Sequence, residues 1–211
     1  KMRQRVTDSR VGIASVSKLT FDNNIAKSKQ TFIAQRWNLV PQNLKAYEQG
    51  KLSKPVKPIY FYIDDAFPIE WKNAIKQGVE LWNKAFEQAG YQKAIEALDF
   101  PKNDRNFDAD DIAYSCIRYV PSTAEKVTSS FLANPQTGEI INASVFVPAN
   151  VGDQIYRWLF LGSAASDATM RTSHLPQDKF NQGLKYMVAC EVGRSLGLLD
   201  NIGASYSYPV D

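Results

Sequence analysis

Cysteine is scarce in this sequence, with Cys116 and Cys190 the only two among 211 residues. Two thiols cannot build a disulfide framework, although these two could still pair with each other in an oxidising compartment. Long apolar runs are also missing, since stretches such as residues 158–161 are far shorter than the roughly 20 residues that cross a bilayer. We therefore expect no membrane span.

No charge of one sign dominates the chain. The 25 basic and 22 acidic side chains give a formal net charge of +3 and are spread without a basic cluster, so nucleic acid is not an expected partner. The sequence has no internal repeat and no low-complexity tract. Because 44% of the residues are hydrophobic and are spread along the whole length, we expect one globular domain of ordinary size.

The first 57 residues predict a hairpin followed by a connector. Residues 11–19 and 31–40 are apolar-alternating runs on either side of a polar break at residues 22–24. Residues 50–57, which carry lysines and a proline, then lead into the main domain at residues 58–211.

Apolar periodicity in the main domain predicts a mixed sheet with helices, an α+β fold. The predicted strands are residues 58–63, residues 111–120 and a hairpin at residues 129–147 with its turn at residues 134–138. The predicted helices are residues 68–90, 155–165 and 177–196, the last of them ending at Gly197.

The last predicted helix carries the most informative segment, VACEVGRSLGLLDN at residues 188–201. It resembles the metzincin signature H-E-x-x-H-x-x-G-x-x-H, in which three histidines bind zinc and the glutamate activates a zinc-bound water. Glu191 and the turn residue Gly197 match that signature. Cys190, Arg194 and Asp200 stand where the three histidines should be.

The resemblance extends along nearly the whole chain. The segments that carry it are WN.AF..AGY at residues 82–91, DDIAYSCIRYVPS at residues 110–122 and GLLDNIGASYSYPVD at residues 197–211. They resemble a family of large, secreted bacterial zinc-dependent metalloproteases. The resemblance implies a zincin-like twisted mixed sheet on two long helices, export to the periplasm or cell surface, and a larger polypeptide whose methionine turn would follow Asp211.

The replaced residues predict that zinc is not bound and that no other cofactor takes its place. Arginine has only N–H donors and a permanent positive charge, so Arg194 can neither ligate a dication nor tolerate one nearby. We expect its charge to lie between Glu191, three residues earlier on the helix, and Asp200 across the turn. Glu191, at the general-base position of the signature, then becomes an ion-pair partner.

Three other roles for these residues stay open at this point. Cys190 and Asp200 are competent zinc ligands and could hold metal in an unconventional site. Cys190 could act as a nucleophile if Arg194 lowers its pKa. His174, the only histidine, precedes the helix and could be either a solvated surface residue or a ligand.

The sequence therefore predicts a pseudo-peptidase that binds a peptide or protein in the old cleft without cutting it. In active members of the family the substrate lies along an edge strand, and Phe131 and Leu132 in the predicted hairpin are the candidate edge positions. One alternative is an active metallopeptidase with an unconventional or externally completed metal site. The other is a structural domain of a larger surface protein.

Overall fold

The computed structural model describes residues 2–8, 10–22, 27–171, 174–201, 203 and 206. Its strands, in chain order, are β1 (Val6–Thr7), β2 (Ser15–Asp22), β3 (Lys27–Ala34), β4 (Ile59–Ile63), β5 (Ile95–Asp99), β6 (Ser115–Val120), β7 (Thr128–Ala133) and β8 (Ile140–Pro148). Its α-helices are α1 (Leu44–Glu48), α2 (Ile69–Glu80), α3 (Asn83–Gln88), α4 (Val151–Ser163) and α5 (Gln177–Ser195), with a short 3₁₀ helix at Ala168–Met170. The mixed content agrees with the predicted α+β class.

The amino-terminal strands form a small antiparallel sheet of their own, in the order β1-β3-β2. It contains the predicted hairpin. Residues 23–26, which include two of the three residues of the predicted polar break, lie outside the described residues. The second arm ends at Ala34 rather than at residue 40. The reason is that Arg36 leaves the sheet and exchanges backbone hydrogen bonds with Gly138 and Ile140 in the main domain.

The main sheet has five strands in the order β5-β4-β6-β8-β7. All neighbours pair in parallel except β7, which runs antiparallel to β8 at one edge. Strand β4 is central, as predicted, and alternate residues of its Ile-Tyr-Phe-Tyr-Ile sequence are fully buried. The sequence did not predict β5, although Ile95 and Ala97 alternate with polar or less buried residues there.

Helices α2 and α5 lie side by side on one face of this sheet. They approach closely because Gly78 has no side chain: a Cβ there would come within 2.7 Å of the Lys185 carbonyl oxygen. Val188, Val192 and Ser195 of α5 are completely buried, as their helical positions predict. None of the described helices is long and apolar enough to cross a membrane.

The predicted helix at residues 68–90 is wrong in one respect, since the structure divides it into α2 and α3. At the break Lys84 N–H bonds to the Leu81 carbonyl, an i to i−3 contact that tightens the chain. Trp82 donates from its indole to the Ala189 carbonyl of α5, and the Asn83 side chain accepts from the Ala94 backbone N–H. The break thus anchors both α5 and the start of β5.

Two other predicted boundaries move by a few residues. Strand β6 begins at Ser115 rather than at residue 111, because the Asp108 and Asp111 carboxylates accept backbone N–H groups two residues on and hold the preceding segment in turns. Helix α4 begins at Val151, directly after β8, rather than at residue 155.

Candidate functional site

Gly197 reverses the chain at the end of α5 and brings Asp200 back beside the helix. It has φ +91°, the left-handed conformation that glycine adopts without steric cost, and a Cβ there would lie 2.5 Å from the Gln35 carbonyl oxygen. The amino-terminal segment holds this turn, since Ala14 N–H bonds to the Gly197 carbonyl at 2.7 Å and Leu199 N–H bonds to the Gly12 carbonyl at 3.0 Å. The turn is therefore fixed from two sides.

Arg194 lies between two carboxylates. Its guanidinium donates one short hydrogen bond to Glu191, one turn earlier on α5, and bonds to both carboxylate oxygens of Asp200 at 3.0 and 3.1 Å. The hydrogen bond to Asp200 raises the pKa of Arg194 above its already high ordinary value, and the Glu191 charge adds to the effect. Arg194 is therefore a permanent cation at neutral pH.

Glu191 is buried and connects α5 to the edge strand. Its side chain is 7% exposed, and its two carboxylate oxygens have different partners. One accepts from Arg194, and the other accepts from the Ser129 hydroxyl on β7 at 2.7 Å. This geometry is that of a structural ion-pair partner rather than of a carboxylate facing a water.

Cys190 lies half-buried one turn before Arg194 and is free, as is Cys116, so the two thiols do not pair. The Tyr186 side chain, one further turn back, hydrogen-bonds to Cys190, and this contact is the main cause of a raised pKa of Tyr186. His174 is exposed and lines neither of the two cavities described below.

Two cavities meet above the end of α5. The edge cavity, about 600 Å³, runs beside β7 and is lined by residues that include Ser129, Phe131 and Asp200. The inner cavity, about 290 Å³, lies between α4 and α5 and is lined by Gln154, Trp158, Tyr186, Met187, Cys190 and others. Lys126, Glu191 and Arg194 line both, so the two cavities adjoin each other at these three side chains.

Of the two predicted edge positions, the structure brings only one into the site. Phe131 lines the edge cavity. Leu132 is 51% exposed and is not among the residues that line either cavity. Both residues belong to β7, which is the edge strand of the main sheet.

The residues at the three ligand positions of the signature do not fit a zinc ion. Arg194 has no lone pair to offer, and its guanidinium fills the space between Glu191 and Asp200 with positive charge. Within the part of the chain that the structure describes, no three His, Cys, Asp or Glu side chains converge as metal ligands would. Among the described residues, Cys190 and Asp200 therefore have no third donor beside them.

Sequence reasoning missed several residues of this site, among them Tyr186, Ser129, Lys126 and Trp158. Tyr186 shares the α5 face of Cys190 and Arg194 at intervals of four residues, so helical spacing could have found it. Ser129 begins the predicted hairpin, but no pattern in the sequence marks it as a site residue. Lys126 and Trp158 reach the cavities only through tertiary packing, which no local pattern in the sequence reveals.

Comparison with known proteins places only the amino-terminal part of the chain. Residues 1–42 match a family described as a domain of unknown function, DUF5117. That span contains the small sheet β1–β3 but none of the residues that line the edge or inner cavity. No curated protein and no solved structure matches the chain.

Proposed function

We propose that this chain is a metzincin-like peptidase domain that has lost its zinc site and binds an extended peptide or protein segment without cleaving it. The sequence resemblance supports the peptidase ancestry. One structural observation carries the rest of the proposal: Arg194 lies between Glu191 and Asp200 at positions of the zinc signature, beneath a cleft that is open along β7.

Arg194 is the main argument against hydrolysis. A zinc peptidase needs three neutral or anionic donors that converge on the metal and a fourth position for water. Arg194 puts a permanent cation at that point, and Glu191 already accepts hydrogen bonds at both of its oxygens. The carboxylate therefore stabilises the arginine and positions β7, and neither role requires a reacting water.

The edge strand is the main argument for binding. In the described part of the chain β7 pairs only with β8, so its other side presents unpaired backbone N–H and C=O groups. An extended peptide can add to such an edge and gain main-chain hydrogen bonds, while alternate side chains enter pockets. The edge cavity lies beside β7, with the Phe131 ring available to contact a bound side chain.

The cellular setting of the proposal rests on the resemblance alone. It favours export to the periplasm or to the cell surface, within a larger polypeptide. A binding role suits that setting, because a domain that holds a peptide segment needs neither a cofactor nor an energy source.

Proline substitution in β7 tests strand addition. Of two neighbouring N–H groups in an antiparallel strand, one faces the partner strand and the other faces outward. Phe131→Pro and Leu132→Pro each remove one of two neighbouring N–H groups. The variant that removes the N–H facing away from β8 should keep the wild-type melting temperature and weaken peptide binding about tenfold or more. Leu132→Ala is the matched control, since this exposed side chain lines neither cavity, and it should bind as the wild type does.

The binding assay is fluorescence anisotropy with labelled extended peptides, repeated with N-methyl groups placed along the peptide in turn. Strand addition predicts that methylation weakens binding at every second position, because alternate peptide N–H groups face β7. If both proline variants fold and bind with unaltered affinity, the peptide does not lie on β7 and the proposed function fails.

A further inference from the structure

The inner cavity has an aromatic wall and a polar group that the fold leaves unpaired. Trp158 of α4 and Tyr186 of α5 stack with ring centroids 5.1 Å apart and ring planes 9° from parallel, and each ring stays about half exposed. Gln154, one turn before Trp158 on α4, lines the same cavity, and its buried Oε1 has no hydrogen-bond partner among the described residues. Buried amide oxygens are rarely left without a donor.

The size and lining of the cavity favour one aromatic side chain with a polar tip. Its volume, about 290 Å³, lies at the lower end of the roughly 300–1,000 Å³ typical of small-molecule pockets. Stacked rings and the Met187 thioether both make favourable contacts with a further aromatic ring. The terminal torsion of a glutamine is soft, so the Gln154 amide can turn its oxygen or its NH₂ toward a hydroxyl.

Lys126 supplies a positive charge where the inner and edge cavities meet. Arg194 is neutralised there by Glu191 and Asp200, whereas the exposed Lys126 forms no ion pair with any described residue. A peptide that follows β7 through the edge cavity passes Lys126, which lies two residues before that strand. A carboxylate on the peptide at that point would give Lys126 an ion-pair partner.

We propose that the cleft recognises an extended peptide with a tyrosine side chain in the inner cavity and the carboxylate of an aspartate or glutamate side chain on Lys126. This inference rests on the proposed function and names the class of peptide that it binds. The two side chains lie two residues apart, because that spacing puts them on the same side of an extended chain. Tyrosine fits better than phenylalanine, since its hydroxyl both donates and accepts and so pairs with the Gln154 amide in either orientation.

The test uses acetylated, amidated and fluorescein-labelled peptides of the sequence Thr-Val-Tyr-Thr-Glu-Val, so that no terminal charge takes part. Peptides with phenylalanine in place of tyrosine, or glutamine in place of glutamate, are measured beside it. Wild type should bind the tyrosine peptide about tenfold more tightly than the phenylalanine peptide, because the latter leaves the Gln154 amide unpaired. It should prefer glutamate to glutamine about threefold at low salt, and lose that preference at high salt.

Protein variants assign each preference to its residue. Gln154→Leu should abolish the preference for tyrosine and keep the preference for glutamate, while Lys126→Met should do the reverse. Lys102→Met, which removes an exposed lysine that lines neither cavity, is the matched control and should change neither. The comparison between peptides needs only wild-type protein, so the test does not depend on the folding of any variant.

Two negative results have separate meanings. If peptides bind in a β7-dependent way but wild type does not distinguish tyrosine from phenylalanine, or if Gln154→Leu keeps the distinction, this inference is overturned and the proposed function stands. If none of the peptides binds at 1 mM or below, about the weakest affinity of interest, the proposed function fails and this inference fails with it.

Discussion

Replacing Arg194 by alanine should destabilise the fold by about 2 kcal/mol. The contact with Asp200 contributes little, because that carboxylate is 73% exposed and exposed ion pairs are worth at most about 1 kcal/mol. The contact with Glu191 contributes more, since a buried acceptor that loses its partner costs about 1–3 kcal/mol. We take the lower half of that range because Arg194 itself is 41% exposed, so water can reach part of the vacated space.

Thermal unfolding followed by circular dichroism measures this loss. For a chain of this size about 1 kcal/mol lowers the melting temperature by roughly 2–4 °C, so Arg194→Ala should melt about 4–8 °C below wild type. Asp200→Asn should cost less than half as much, and Arg105→Ala, at an exposed position, should cost nothing measurable. Adding Glu191→Gln to Arg194→Ala should recover part of the loss, because the buried charge is then removed as well.

Two results would refute this reasoning. An unchanged melting temperature for Arg194→Ala would mean that the ion pairs do not stabilise the fold. An Asp200→Asn variant as damaged as Arg194→Ala would mean that the exposed pair, rather than the buried carboxylate, carries the energy.

Three further predictions follow from the same geometry. After incubation with zinc and dialysis, wild type should hold well below one equivalent of metal by elemental analysis; a full equivalent that is lost in Cys190→Ala would contradict the proposal. Gly197→Ala should lower the free energy of unfolding in urea by about 1–3 kcal/mol, because of its positive φ and its contact with a carbonyl. Gly162→Ala, in the last turn of α4 with no atom within 4 Å of the added Cβ, should be neutral or stabilising. Burial raises the pKa of Cys116 to about 11. Iodoacetamide at pH 8 should therefore alkylate the half-buried Cys190 and leave Cys116 unmodified until the protein unfolds. Equal alkylation rates of the two thiols in the folded protein would show that Cys116 is accessible to solvent.

The pKa of Cys116 also has a consequence for stability at high pH. The folded state keeps this thiol neutral, while the unfolded chain ionises it near pH 9. Stability is therefore unaffected below about pH 9 and falls as the pH rises from there toward 11, where the folded thiol ionises too. Urea unfolding at pH 8 and pH 10 measures the fall, and Cys116→Ala, which removes the titrating group, should lose less stability between these two pH values than wild type does.

Local sequence patterns predicted the elements whose burial follows a simple period. Strand β4 alternates, and α5 repeats its apolar residues every three to four positions, so both were found with small errors. Strand β5 has five residues and a weak alternation, which is too little signal for a prediction. The break between α2 and α3 depends on Trp82 and Asn83 bonding to distant backbone groups, and periodicity carries no information about such contacts.

The candidate site also has one part that the sequence predicts and another that it does not. The contacts of Arg194 with Glu191 and Asp200 are set by spacing along one helix and its turn, and the sequence predicts both partners. The bond from Ser129 to Glu191 joins residues 62 positions apart, and the inner cavity depends on the packing of α4 against α5. These features follow from the tertiary fold, which the motif alone does not specify.

The hydrogen bond between Ser129 and Glu191 bears on how readily the zinc signature could return. A histidine at position 194 would restore one ligand, but it would also leave the buried Glu191 without its cation and so loosen the contact that holds β7 against α5. This substitution therefore loses stability before a metal is there to compensate. If the chain descends from a zinc peptidase, as we propose, Arg194 both excludes the metal and stabilises the fold, so its replacement by histidine alone is disfavoured.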